Sequence, residues 1–303
     1  MIVRLCSVSI DLDEIACYLQ IHGLAPEQSH AVYDIALGRI RSFASDLGVS
    51  LTLFVIARDL DRLENVTALR PLVADGHEIG NHSLDHLYDL TRRGQAEQER
   101  QIDGANQRLK SELGVTPSGF RAPGYTVTDG LLTVVAACGL HYDSSVFPCP
   151  PYFAAKAARL VRMKIAGQNS RAVLDTPRVL RAPTVPYRVG EPYWSAGSGL
   201  LELPIQVAGP LRMPFIGTAL SLLGPSAARL LTLSLIGKPM VNLELHGIDF
   251  LDARDVPAPI QKVQPDVRVP VARKLETFSA VIALLRKHAY AVLRLDEAAR
   301  AFA

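Results

Sequence analysis

The chain has 303 residues, of which 49% are hydrophobic and 20% are charged. This composition excludes a disordered or fibrous protein and supplies enough apolar side chains for a large core. Thirty-two Lys and Arg against thirty Asp and Glu give a net charge of +2, so we expect no binding to nucleic acid.

Predicted strands and helices alternate through the first half of the chain. Residues 3–10 and 51–56 are rich in β-branched residues, which predicts two buried strands. A helix between them is indicated by apolar residues at helical spacing and a glycine at the C-cap: Val32, Ala36, Ile40, Phe43, Leu47 and Gly48. The alternation continues with helices near 60–74, 95–113 and 131–138 and with strands at 77–80, 119–121 and 140–142.

The second half of the chain resumes this alternation after an interruption. Residues 148–199 are rich in Pro, Arg and Tyr, and we interpret them as a long irregular insertion over one end of a barrel. Strands are then predicted at 241–245 and 290–293, and helices around 275–285 and 296–302. The pattern predicts an α/β barrel in which residues 1–303 form a single domain.

The cysteines and the apolar segments bear on the compartment. The cysteines are single and form no CxxC pair, which argues against a thiolate zinc site and a disulfide framework: Cys6, Cys17, Cys138 and Cys149. The first ten residues lack the apolar core and cleavage site of a signal peptide, so we expect a cytoplasmic protein. Residues 214–237 are apolar but are interrupted by Gly217, Pro225 and Arg229, so they predict no membrane-spanning helix.

Two aspartates follow the first predicted strand, at the position where barrel enzymes carry their sites. Asp11 and Asp13 are two residues apart and point into one pocket if both lie on the same strand face or the chain leaves strand geometry. A turn followed by a helix N-cap explains the same residues.

A histidine pair suggests a metal site. His82 and His86 are four residues apart, so one helical turn would place both imidazoles on the same face. With Asp13 they would form a set of two histidines and one carboxylate that leaves positions open for water and substrate. Two surface histidines near a helix start are the alternative, and we interpret the neighbouring His77 as structural.

Two further polar groups stand at predicted strand ends. Arg121 precedes a Pro-Gly turn and is suited to pair with a carboxylate, while the turn could aim a backbone N–H at an oxyanion. An ordinary surface turn is the alternative. His246 ends an apolar strand, where a lone histidine is more often a core residue than an acid.

Taken in order along the chain, these segments resemble the polysaccharide deacetylase (NodB homology, carbohydrate esterase 4) family. The resembling motifs are SIDLDE at 9–14, HSLDH at 82–86, RAPGY at 121–125, LELP at 201–204 and LELH at 243–246. The first of these is similar to the cytosolic branch that includes the Helicobacter peptidoglycan deacetylase. The sequence departs from the commonest family pattern by an inserted Gly124 and by Glu202 in place of an aspartate.

The resemblance implies a distorted (β/α)7 barrel and assigns roles to residues. Asp13, His82 and His86 would hold one divalent metal, with Zn²⁺ expected and Co²⁺, Ni²⁺, Mn²⁺ or Fe²⁺ as alternatives. Asp11 would be the general base, and Arg121 would orient it. The remaining roles would be the oxyanion-hole N–H of Tyr125, the general acid His246, and its carboxylate partner Glu202.

The implied activity is metal-dependent hydrolysis of a linear amide, with removal of an N-acetyl group from an amino sugar. The substrate would be a glycan, a glycoside or a lipid-linked sugar precursor. A deformylase of a lipid-linked amino sugar and a hydrolase of a cyclic imide or ureide are alternatives, as is an inert glycan-binding fold. Residues 214–237 would be a buried barrel helix or an apolar lip for a lipid tail, with peripheral membrane contact. The oligomeric state is left open.

Overall fold

The structure is a computed structural model that describes residues 4–25, 27–167 and 170–303. Its strands are β1 (Arg4–Asp11), β2 (Thr52–Val55), β3 (Glu78–Asn81), β4 (Gly119–Phe120), β5 (Tyr142–Asp143), β6 (Tyr187–Val189), β7 (Ala196–Glu202), β8 (Val207–Ala208), β9 (Met213–Pro214), β10 (Met240–His246) and β11 (Tyr290–Val292). Its helices are α1 (Ile15–Ile21), α2 (Leu37–Leu47), α3 (Leu63–Ala74), α4 (Gln95–Leu113), α5 (Asp129–Ala137), α6 (Pro150–Ile165), α7 (Gly217–Leu233), α8 (Ala258–Val263), α9 (Val271–Lys287) and α10 (Leu295–Phe302).

One curled sheet organises the molecule. Its strands follow the order β10-β1-β2-β3-β4-β5-β7-β6, and β11 also pairs with β1. All the neighbours are parallel except β6, which is antiparallel to β7. The chain after β7 approaches the opposite edge, where Gln206 N donates to the Asn242 carbonyl at 3.2 Å. The predicted α/β class and barrel-like curvature are confirmed, with the sheet forming a half-barrel.

Strand β1 is an interior strand of the sheet and pairs with β2, β10 and β11. Every residue of β1 after Arg4 is buried, as expected for a parallel strand covered on both faces. Helix α2 packs its apolar stripe on this core and ends at Gly48, whose φ of 58° is the left-handed conformation predicted for the C-cap. Helix α5 begins at Thr128, whose hydroxyl accepts a hydrogen bond from Leu131 N at 3.2 Å.

The segment 148–199 differs from the irregular insertion that we expected. It contains the 16-residue helix α6, strand β6 and the first part of β7. Helix α6 starts with Pro150 in its first turn and continues through good helix formers, which outweigh the Pro-rich sequence before it. Residues 168 and 169, and the start of the first predicted strand at residue 3, lie outside the described residues. The single-domain organisation stays a prediction.

Helix α7 carries the apolar segment that we considered for lipid contact. It packs against α9 and is kinked at Gly224, whose φ is 75°. Leu220 is buried, whereas other leucines of the helix face solvent: Leu222, Leu223, Leu230 and Leu233. Among the described residues, no helix combines the length and apolar character needed to cross a bilayer.

Candidate metal centre and active site

The predicted polar residues meet at one edge of the sheet. Asp11 is the last residue of β1 and pairs in register with His246, the last residue of β10. His82 directly follows β3, and Arg121 directly follows β4. Because the carboxyl ends of parallel strands lie at the same edge, residues far apart in sequence line one cavity of about 310 Å³.

Three ligand atoms form a candidate metal centre. Asp13 Oδ1 lies 3.1 Å from His82 Nε2 and 3.4 Å from His86 Nε2. Ligand atoms about 2.0–2.1 Å from a tetrahedral zinc ion are about 3.3 Å apart by geometry. The side chains are all buried, and their ligand atoms lie within 4.8 Å of one another. The residues therefore fit a divalent cation.

The surroundings of the two imidazoles also suit a metal ligand set. His82 Nδ1 donates to the Arg121 carbonyl at 2.7 Å, which orients the ring so that Nε2 faces Asp13 Oδ1 at 3.1 Å. Burial lowers the pKa of His86 to about 4, so this imidazole is neutral at pH 7. Within the described residues, neither ring nitrogen of His86 has a hydrogen-bond partner. A bound cation would satisfy this buried polar group.

The pair of histidines is brought together by a loop and not by the helical turn that we expected. Ser83 and His86 have φ values of 65° and 52°, which no right-handed helix contains. Asn81 Oδ1 accepts from Ser83 N at 2.7 Å, and Ser83 Oγ accepts from His86 N at 3.1 Å. Such side-chain bonds to nearby backbone groups compete with helix formation. They fold the loop so that the rings of His82 and His86 are 4.7 Å apart.

A buried ion pair holds Asp11. Arg121 Nη1 donates to Asp11 Oδ1 at 2.7 Å, and its remaining nitrogens donate to Ser9 Oγ, the Ser144 carbonyl and Ser144 Oγ. The guanidinium lies 4.4 Å from the centre of the Phe54 ring. Burial raises the pKa of Asp11 above its usual value, and Arg121 opposes the rise. Arg121 therefore fixes one carboxylate oxygen and leaves the other facing the histidines.

Replacing Arg121 with methionine should destabilise the fold by about 3–5 kcal/mol, because Asp11 would remain buried without its charge partner. Urea unfolding followed by circular dichroism measures this loss. The matched control is Arg41→Met, which removes an exposed ion pair with Asp75 and should leave the midpoint nearly unchanged. Equal midpoints for Arg121→Met and the wild type would contradict a structural role for this pair.

The carboxylate beside His246 is Glu244, not the predicted Glu202. Glu244 Oε1 lies 2.8 Å from His246 Nδ1. Glu202 instead accepts from Val146 N at 3.0 Å, and burial with the neighbouring Asp143 raises its pKa well above the ordinary value. Glu244 and His246 are two residues apart on β10 and so share a strand face. This two-residue spacing is the feature of the sequence that could have indicated Glu244 as the partner of His246.

Tyr125 reaches the site with its hydroxyl and not with the predicted backbone N–H. Its N–H donates to the Ala122 carbonyl at 3.0 Å, so this group is already engaged. Gly124 and Tyr125 both have left-handed φ values, 64° and 59°. This turn swings the Tyr125 hydroxyl to 3.1 Å from His246 Nε2. Burial raises the pKa of Tyr125 well above its usual value, so the hydroxyl keeps its proton.

The outer wall of the cavity was missed in the sequence analysis. It is aromatic and basic and includes Tyr18, Tyr88, Tyr152, Lys156 and Arg159. Three of these residues lie in α6, within the segment that we expected to be irregular. Because no pattern in the sequence indicates where this helix docks, only the structure assigns it to the site.

Comparison with known proteins supports the resemblance seen in the motifs. Residues 39–142 match the polysaccharide deacetylase family model. This range contains His82, His86 and Arg121. The uncharacterized protein YlxY of Bacillus subtilis is 31% identical over 72 residues, which are 24% of this chain and 22% of YlxY. The chain thus matches about a fifth of the length of that relative. The Helicobacter-like branch stays a prediction.

Solved structures share the fold at low sequence identity. A putative polysaccharide deacetylase from Mycobacterium smegmatis is 16% identical, with a TM-score of 0.51, and the likeness covers 96% of this chain and 93% of that one. A CE4 family pseudoenzyme from Bacillus anthracis is 12% identical, with a TM-score of 0.51, over 97% of this chain and 65% of the other. At this identity the likeness establishes the fold alone.

Proposed function

We propose that the chain is a metal-dependent amide hydrolase of the polysaccharide deacetylase family that removes an N-acetyl group from an amino sugar. One observation carries the proposal: Asp11 stands between the candidate metal centre and a third histidine, His246. Its Oδ2 lies 3.9 Å from His82 Nε2 and 4.0 Å from His246 Nε2. A base placed between a cation site and an acid is what amide hydrolysis requires.

The roles of the side chains follow from their contacts. A divalent cation held by Asp13, His82 and His86 would polarise the acyl oxygen and lower the pKa of a coordinated water. Asp11 accepts the proton of the attacking water through Oδ2, while Arg121 holds Oδ1. His246, paired with Glu244, protonates the departing amine through Nε2. The products are a carboxylate and a free amine.

We assign the Tyr125 hydroxyl to the leaving-group side of the site. It lies next to His246 Nε2 and keeps its proton, so it can orient the imidazole or donate to the substrate. A hydroxyl serves as a donor to developing negative charge as a backbone N–H does. In this proposal Tyr125 acts through its side chain, and its backbone N–H, which the resemblance assigned to the oxyanion hole, stays bonded to the Ala122 carbonyl.

Metal content and product release test the function together. Purified protein should contain about one divalent metal per chain, and acetate should be released from N-acetylated amino sugars. The substrate panel should include N-formyl amino sugars, cyclic imides and ureides, with products identified by mass spectrometry. Formate release or ring opening without acetate release would favour the alternative hydrolases. Zinc as the native metal and a cytoplasmic location stay predictions.

An inert glycan-binding fold is the second candidate. The similar protein from Bacillus anthracis is described as a pseudoenzyme, and a mutant of it as having restored enzymatic activity. Here the carboxylates and imidazoles of the proposed site are all present and close together. A metal-loaded protein that binds amino sugars but releases no acyl product from any of them would favour the inert fold.

We further expect faster turnover of substrates that carry a lipid tail. Ile216 and Thr218, at the start of α7, line the cavity, and leucines exposed to solvent follow on the same helix. Burying an acyl tail there should raise kcat/KM by about tenfold or more, at about 0.8 kcal/mol per buried methylene. Assays compare one acylated amino sugar with and without an octyl tail.

A pair of variants tests whether a preference for the tail depends on the exposed leucines of α7 or on exposed apolar residues in general. The double variant Leu222→Ser with Leu230→Ser should lose the preference for the tail. Leu63→Ser is the matched control, because Leu63 is about as exposed as Leu230 but lies on α3. Equal rates with and without the tail in the wild type would assign the leucines no role in substrate binding.

A further inference from the structure

Two basic side chains of α6 line the same cavity as the acidic residues. Lys156 and Arg159 are three residues apart, so they lie on neighbouring positions of one helix face. Tyr152 stands one turn before Lys156 and also lines the cavity. Arg162 and Lys164 continue the helix but are exposed and do not line the cavity. The helix thus divides its basic residues between the cavity and solvent.

Among the described residues, the hydrogen bonds of the two cations in the cavity go only to neutral groups. Lys156 Nζ donates to the Gly124 carbonyl at 2.9 Å, and Arg159 Nη2 donates to the Ile21 carbonyl at 3.2 Å. In the part of the chain that the structure describes, neither forms an ion pair with a carboxylate. Asp175, the acidic group that acts on Lys156, accepts hydrogen bonds from Tyr193 and Thr176.

This arrangement leaves positive charge in a partly buried site. Burial lowers the pKa of Lys156 to about 8 and also lowers the pKa of Arg159. Both nevertheless carry charge at pH 7, and even partial burial of a cation without an ion-pair partner is unfavourable. Each side chain uses one donor on a carbonyl and has further N–H donors to offer. An ammonium and a guanidinium side by side are suited to a phosphate or a carboxylate.

We propose that the substrate carries an anionic group, a phosphate or a carboxylate, that binds to Lys156 and Arg159 while its acylated amine lies at Asp11. This proposal rests on the function proposed above and specifies its substrate class. Lys156 contacts Gly124, the residue before Tyr125, so the anion site adjoins the turn that carries the Tyr125 hydroxyl. A neutral amino sugar would leave Arg159 without a counter-ion and Lys156 with only the Asp175 carboxylate nearby, which forms no ion pair with it among the described residues.

A purely structural role is the competing explanation, since both side chains attach α6 to the body of the protein. The double variant Lys156→Gln with Arg159→Gln separates the two roles. Glutamine keeps an N–H donor for the carbonyls of Gly124 and Ile21 but removes the charge. The matched control is Arg162→Gln, which removes one charge from the same helix outside the cavity.

The first readout is selectivity between substrates. We compare kcat/KM for N-acetylglucosamine 1-phosphate, N-acetylmuramic acid and the neutral methyl glycoside of N-acetylglucosamine. The wild type and Arg162→Gln should prefer at least one anionic substrate by about tenfold or more. The double variant should reduce that ratio to below about threefold. An equal fall on neutral and anionic substrates, or no preference in the wild type, overturns the proposal.

The second readout does not need turnover. Titration calorimetry with N-acetylglucosamine 1-phosphate and with N-acetylmuramic acid should show which anion binds, and binding should weaken as salt rises. Binding that disappears in the double variant but persists in Arg162→Gln supports the anion site. If such binding occurs but no acyl group is released, only the proposed activity is wrong. Hydrolysis without anion preference, and without anion binding, overturns the anion site alone.

Discussion

His82→Ala and His86→Ala should each reduce the metal content from about one per chain to near zero. Each substitution removes one of the three ligands and leaves a site with two, which a divalent cation binds much more weakly. Elemental analysis of the purified variants measures the loss. His77→Ala is the matched control, because His77 accepts a hydrogen bond from Leu51 N outside the cavity. Full metal content in both ligand variants would show that His82 and His86 do not bind the metal.

Asp11→Asn should behave differently from the ligand variants. It keeps the metal while turnover falls by roughly 10²- to 10⁴-fold, because an amide cannot accept the proton of the attacking water. Asp13→Asn should lose both metal and activity, since Asp13 contacts both histidines. Loss of metal from Asp11→Asn as complete as that from Asp13→Asn would show that the division between base and ligand is wrong.

His246→Ala should lower turnover by roughly 10²- to 10⁴-fold, and the pH profile should identify the reason. Burial alone would lower the pKa of His246, but the carboxylates of Glu244 and Asp11 raise it well above its ordinary value. The acid is therefore protonated at neutral pH. The rate should fall at high pH as His246 loses its proton and at low pH as Asp11 gains one, which gives a bell-shaped profile.

Replacing Glu244 should shift the alkaline limb, whereas replacing Glu202 should not. Glu244→Gln removes the charge that raises the His246 pKa, so the limb should move to lower pH. Glu202→Gln is the matched control and should leave the limb in place, because Glu202 contacts Val146 and Asp143 instead. A coordinated water can produce a similar limb, and the profile of His246→Ala isolates that contribution. A shift in Glu202→Gln alone would reverse our assignment of the partner.

Local patterns in the sequence determined most of the secondary structure. Helix α4 was predicted with the bounds that the structure has, because a 19-residue amphipathic pattern ending at a glycine needs no distant partner. Helix α6 was missed, since its proline start and exposed face give little local signal. Hydrophobic periodicity predicts helices and strands that bury one face in the core, but it does not predict an element that covers a site.

The sequence by itself determined the α/β class and, through the order of its motifs, which residues gather at the strand ends: Asp11, Asp13, His82, His86, Arg121 and His246. Only the tertiary structure decided their partners. Pairing of β10 with β1 places the strand face that carries Glu244 and His246 beside Asp11, and two left-handed residues turn the Tyr125 hydroxyl toward His246. Hydrogen bonds of Asn81 and Ser83 shape the histidine loop. Residue identity and spacing in the sequence identify the chemical groups of the site. The distances between side chains depend instead on strand register, loop conformation and helix docking, because these are set by packing across the whole core.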